Sequence, residues 1–304
     1  MTTVTAATVA VTADLLYFSA TTDGQKPYQY TQPAPGSLQP ETNIIRTPYK
    51  LPIHDLRPLL DTPARNDISL ETTGFDVPAN DISGTSMKYE DWQDSKKIDE
   101  IYLPEVAEML KKHTGATKVI FFDYTVRKGE REGDETPDTP DNRKPVPFVH
   151  VDQTPESGEK RVRRHAGEDA ERLLRGRAQL INVWRPLRGP VLDVPLAVAD
   201  ARTLSHTEDL TRSRLVYPTE GEHHQPEGEV LSVGFSDRHR YYYLSEMGPQ
   251  EALLLKCWEN LPNSQIGTIT PHTAFYDPRY YGKKDVPLRQ SIETRALVFH
   301  EPQE

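Results

Sequence analysis

The chain has 304 residues, 36% of them hydrophobic, a formal net charge of -10 and one cysteine, Cys257. That length can bury a substantial core, the excess of acid argues against a nucleic-acid surface, and a lone cysteine excludes an intramolecular disulfide. No apolar run approaches bilayer length and residues 1–12 lack a basic leader, so the expectation is a cytoplasmic protein with a small-molecule partner and no membrane or nucleic acid. Its oligomeric state, a homodimer included, stays open.

Taken in chain order, the first 93 residues carry many prolines and threonines and one strand-like run at 13–19. They are expected to wrap around a core built later, within a single domain of 1–304. Residues 95–113 show helical spacing, with Val106, Met109 and Leu110 on one face, Pro104 starting or bending a turn, and Gly115 as the stop. A strand rich in β-branched and aromatic residues follows at 117–126. Residues 127–146, dominated by Gly, Glu, Asp, Pro and Lys, read as a mobile loop that leads into the apolar run 147–153. The basic cluster 160–164 reads as a solvated face leading into a helix at 168–175. Short strands are expected at 178–184, 191–198, 209–217, 229–235, 239–244, 252–258, 268–276 and 291–299. Strands at this spacing, separated by Gly, Pro and Asn turns, predict a mainly β fold with peripheral helices, and a double-stranded β-helix, or jelly roll, fits the count.

Within 147–153, His150 and Asp152 are two residues apart on a strand and so share a face, as two of the three ligands of a facial iron site must. The rival His206-Thr207-Glu208 lies among polar residues that read as a loop. His272 is the best third ligand. Seventeen residues later Arg289-Gln290-Ser291 opens an apolar run in which Arg289, Ser291, Glu293 and Arg295 share one strand face. That stripe is too polar for a core unless it binds something charged, and a guanidinium there can grip a carboxylate in a bidentate fork. Asn182, Trp184 and Arg185 lie on the strand expected beside the iron-bearing one, between packing and a cosubstrate role. The pattern points to an iron oxygenase using 2-oxoglutarate; a cupin-like isomerase or lyase, or a non-catalytic binding protein, is the alternative on the same fold.

Spaced segments carry a broader likeness: 16–19 with Asp23-Gly24, 102–105, 121–127, 150–154, 182–187, 193–197, 239–243, 270–275 and 289–295. In these the chain resembles the fungal and bacterial hydroxylase/desaturase group that includes the asperfuranone-cluster-type and gibberellin-desaturase-like enzymes and the cephalosporin 7α-hydroxylating component. The resemblance covers most of the chain. It implies an Fe(II)/2-oxoglutarate-dependent oxygenase with dioxygen as cosubstrate and His150, Asp152 and His272 on iron. It also implies an arginine for the far carboxylate of 2-oxoglutarate, Arg289 with Ser291 first and Arg295 as rival, and hydroxylation or desaturation of a small secondary metabolite by hydrogen abstraction.

Overall fold

The computed structural model describes residues 9–31, 41–131, 133, 136, 138, 139, 142–217, 228–261 and 267–300. Its strands, in chain order, are β1 (Val9–Thr21), β2 (Tyr28–Tyr30), β3 (Ile44–Asp55), β4 (Phe75–Asp76), β5 (Lys118–Lys128), β6 (His150–Val151), β7 (Arg177–Pro186), β8 (Leu196–Ala199), β9 (Leu210–Val216), β10 (Gly228–Val233), β11 (Tyr241–Tyr243), β12 (Leu253–Glu259), β13 (His272–Ala274) and β14 (Gln290–His300). They form two sheets, ordered β1-β3-β11-β8-β13-β6-β10-β9-β2 and β4-β12-β7-β14-β5. The fold is mainly β, as expected.

The smaller sheet is packed on both faces. Along β14, Ile292, Ala296 and Val298 face the helix Leu103–Thr114 through Val106, Met109 and Leu110, which recur at helical spacing. Gly115 ends that helix with φ 74°, the left-handed cap the sequence predicts. On the other face, Trp184, Leu253 and Leu255 meet Leu196, Val198 and Tyr242 of the larger sheet. One end is closed by Val162, Ala170 and Leu173 against Leu180, Cys257, Trp258 and Leu297. The close approach there needs Gly158, whose added Cβ would stand 2.3 Å from Cγ of Trp258. The larger sheet curls, so that β1 also meets the residues just before β6 and just after β10 through the bridges Leu16↔Phe148 and Phe18↔Gly234.

Three local expectations change. β3 lies in the proline- and threonine-rich first 93 residues, where only the run at 13–19 is expected as a strand, and it contains Pro48 and Pro52. β1 pairs along its whole length and β11 pairs only Ile53 to Asp55, leaving one edge without a partner over the prolines, the place where a missing N–H is tolerated. The helix expected at 168–175 shrinks to Ala170–Leu174, and a longer one precedes it at Pro155–Ala166. Thr154 caps that helix, its hydroxyl accepting from the Ser157 N–H while the Ser157 hydroxyl accepts from the Thr154 N–H. Arg127 belongs to β5 rather than to the loop after it, and part of 127–146 lies outside the described residues. Among the described residues no helix is long and apolar enough to cross a membrane.

Candidate active site

Register, more than sequence distance, assembles the site. β13 pairs antiparallel with β6 so that His272 stands opposite His150, and the two imidazole centroids are 4.4 Å apart. Asp152 follows β6 on the same face as His150. Its Oδ1 lies 3.3 Å from Nε2 of His150 and 3.8 Å from Nε2 of His272. Both separations are within the ~4 Å that two metal–ligand bonds of about 2.0–2.2 Å can bridge, and all three ligand atoms lie within 4.8 Å of one another.

The protonation of this cluster follows from its hydrogen bonds. Nδ1 of His150 is 2.9 Å from the Phe148 carbonyl and Nδ1 of His272 is 2.9 Å from the Thr270 carbonyl. A carbonyl only accepts, so each Nδ1 carries the proton and each Nε2 turns a lone pair toward Asp152. Burial, followed by the nearby His150, pushes the His272 imidazole down and keeps it neutral. Burial also pushes the Asp152 carboxyl up, but the neighbouring groups, the Arg295 guanidinium first among them, hold it well below the usual carboxylate range. Oδ2 of Asp152 accepts from Nδ2 of Asn182 at 2.6 Å and from Nε of Arg295 at 3.3 Å, which leaves Oδ1 for the imidazoles. Two imidazole nitrogens and one carboxylate oxygen on one side of a point are a donor set suited to iron(II).

The polar stripe of β14 lies beside this cluster. β7 places Asn182 opposite Arg295 and Trp184 opposite Glu293, while β5 places Asp123, Thr125 and Arg127 along the other edge. Arg295 is committed: it contacts Asp152 through Nε, Asp123 at 2.9 Å and Thr125 at 3.0 Å through Nη1, and Glu293 through Nη2. Burial opposes its charge, but Glu293, Asp152 and Asp123 hold it above its ordinary value. Arg289 is different. Its Nε donates to Oγ of Ser291 at 3.0 Å and its Nη1 to the Val194 carbonyl at 3.0 Å, and no carboxylate of a described residue pairs with the guanidinium. Burial, then the neighbouring Arg127, pushes it down to about 9. Its Cζ lies 5.0 Å from the ring of Trp184, whose buried Nε1 has no hydrogen-bond partner. An unpaired buried charge beside an orphaned donor costs several kcal/mol until an anion fills the place.

Arg185 is not brought to the site. Its parity opposes that of Asn182, and its guanidinium is held by the Tyr102 hydroxyl at 3.3 Å and by the Pro249 and Ser83 carbonyls at 2.7 and 2.5 Å. That makes it a clasp between β7 and the helical layer. The rival His206-Thr207-Glu208 stays apart from the cluster, with Glu208 3.1 Å from Arg238.

His150 and Asp152 open into a cavity of about 790 Å³, a size suited to a small organic ligand. Its wall includes Arg46, Arg127, Phe148, Lys160, Arg161 and Arg164. None of these was singled out from the sequence as a site residue. Alternation of Asp123, Thr125 and Arg127 along β5 was a usable signal; Arg46 was hidden because β3 was not recognised.

A family model described as "YDMC: Oxidoreductase/YMDC permease-like domain" matches residues 15–299. The alpha-ketoglutarate-dependent dioxygenase tstK of Talaromyces stipitatus is 32% identical over 287 residues, covering 90% of this chain and 95% of that protein. The Fe(II)/2-oxoglutarate-dependent dioxygenase nvfI of Aspergillus novofumigatus is 32% identical over 275 residues, covering 90% of each. A solved structure titled as the iron and alpha-ketoglutarate-dependent endoperoxidase NvfI superposes with a TM-score of 0.76 at 29% identity, covering 96% of this chain and 98% of that one.

Proposed function

Because the chain belongs to the Fe(II)/2-oxoglutarate-dependent dioxygenases, we propose that His150, Asp152 and His272 hold its iron and that it hydroxylates or desaturates a small secondary metabolite by hydrogen abstraction. The observation that carries the ligand assignment is the pair of Nδ1–carbonyl hydrogen bonds, which aim both imidazole lone pairs at the Asp152 carboxylate. When bound, iron with 2-oxoglutarate and dioxygen would supply the oxidising power to attack an unactivated C–H bond.

The protein's own residues then do the positioning. Asn182 and Arg295 fix Asp152 so that one oxygen is available to the metal. Arg289 and Ser291 receive the far carboxylate of 2-oxoglutarate, with the Trp184 indole N–H as a further donor. Arg289 is preferred to Arg295 because its charge lacks a carboxylate partner among the described residues, whereas Arg295 already contacts three. The scaffold is read as a double-stranded β-helix, supported by the interleaving of early and late strands in β5-β14-β7-β12 and β6-β13-β8-β11. Residues 1–304 form one catalytic domain in this reading, with β1 and β3 as its wrapping N-terminal part.

Anaerobic addition of iron(II) and 2-oxoglutarate is expected to produce a visible metal-to-ligand charge-transfer band that vanishes in Asp152→Ala. Substrate turnover that continues unchanged under argon and without 2-oxoglutarate would overturn the reading in favour of a cupin-like lyase or isomerase.

A further inference from the structure

We propose that the substrate of this cavity carries a carboxylate and that Arg46, laid over the Phe148 ring, receives it. The inference rests on the oxygenase reading for the chemistry at the iron end and not for the binding contact itself.

Arg46 is half-buried on β3, with Cζ 3.8 Å from the centroid of the Phe148 ring and Nη2 donating to Oε1 of Gln29 at 2.7 Å. No carboxylate of a described residue pairs with it. Arg57, Arg202 and Arg279, by contrast, pair with Glu251, Asp200 and Asp277. Burial pushes the Arg46 guanidinium down to about 10. A neutral ligand would leave that desolvation in place; an anion offsets it. A guanidinium over an aromatic ring can still present its remaining N–H groups to a carboxylate.

The position suits a substrate anchor. Two short spacings join the cation to the metal centre, 3.8 Å from Cζ to the Phe148 ring and 5.4 Å from that ring to the His150 imidazole. A carboxylate on Arg46 would therefore leave a carbon several bonds away within reach of the iron. The rest of the wall favours the same charge. Helix Pro155–Ala166 turns Lys160, Arg161 and Arg164 toward the cavity, while its Glu156 and Glu159 pair with Arg212 and Arg163. Acids on the wall are committed elsewhere: Asp123 and Asp152 to Arg295, Asp138 to Arg143, and Glu229 toward Arg212. Glu41 stands at the exposed rim. The net field draws an anion in.

The test is a calorimetric titration of the full chain, in saturating manganese(II) and 2-oxoglutarate, with naphthalene-2-carboxylate and its methyl ester as a matched pair. The acid is expected to bind saturably and about tenfold or more tightly than the ester, the scale of one charge-assisted contact. Arg46→Gln should erase the preference and Arg46→Lys should keep part of it, both retaining the iron(II)–2-oxoglutarate charge-transfer band as a check that the site is intact. Absence of saturable acid binding, equal affinities for the pair, or an undiminished preference in Arg46→Gln overturns the proposal. A wild-type protein without the band sinks the oxygenase reading instead and leaves the acid-to-ester comparison standing.

Discussion

The histidine–aspartate cluster of His150, His272 and Asp152 contrasts with that of His239 and Asp209, and of the two only the first borders open volume. In the first, His150 and His272 spend Nδ1 on backbone carbonyls and turn Nε2 toward Asp152, and His150 and Asp152 line the cavity. In the second, His239 spends both nitrogens on side chains, Nδ1 on the Tyr17 hydroxyl at 3.1 Å and Nε2 on Asp209 at 3.1 Å, while Tyr17 donates to Tyr241 at 2.9 Å. Residue types are nearly the same. What separates a candidate metal site from a structural knot is where the second ring nitrogen points and whether open volume lies beyond it.

The strongest way to break this contrast is to remove a ligand from each cluster. His272→Ala is expected to abolish the charge-transfer band and to reduce turnover to background, whereas His239→Ala should leave the band in place; loss of the band in His239→Ala would erase the distinction. Next in size, Arg289→Leu should raise the 2-oxoglutarate concentration needed for half-saturation by about a hundredfold, as expected when a buried charge pair loses one partner. Iron binding itself should be retained in that variant, and a titration of the band with 2-oxoglutarate reads both. Asn182→Ala frees Oδ2 of Asp152 from its 2.6 Å contact and should cost about 10–100-fold in iron affinity, the usual scale for a group that orients a ligand.

The smallest effects belong to the structural cluster. His239→Ala should lower stability by about 1–3 kcal/mol, because it strands the buried Asp209 and Tyr17 side chains; chemical denaturation measures it. Burial raises the Asp209 carboxyl, but the Ser205 N–H, His239 and Arg238 outweigh it and hold it below its ordinary value. A folded-state value below the unfolded one means that the stabilisation is complete above about pH 4 and fades as pH falls below it. Asp209→Asn should therefore flatten that part of the acid limb of a stability-versus-pH curve and leave iron binding unchanged.

Much of the site was legible before any tertiary information. The His150–Asp152 spacing, the isolated His272 and the odd-numbered stripe from Arg289 to Arg295 all follow from strand alternation, and the structure brings the first three together with Asn182 and Arg295 around them. Parity also separates Arg185, which is three residues from Asn182 and so faces the other side of β7. The helix Pro155–Ala166 was signalled by Thr154, Pro155 and Ser157, yet its basic residues looked like a solvated surface because nothing local says which way such a helix is turned.

The sequence by itself determined the chemistry on offer: two imidazoles, a carboxylate, a polar strand face and a mainly β framework. These depend on residue type and on a two-residue period that the backbone imposes locally. Only the tertiary structure decided that His272 stands opposite His150, that Arg295 is consumed by three acids while Arg289 and Arg46 keep unpaired charge among the described residues, and that helix Pro155–Ala166 lines the cavity. Those outcomes depend on which distant strands pair and on what each charge meets once buried, and neither is written in the spacing of neighbours along the chain.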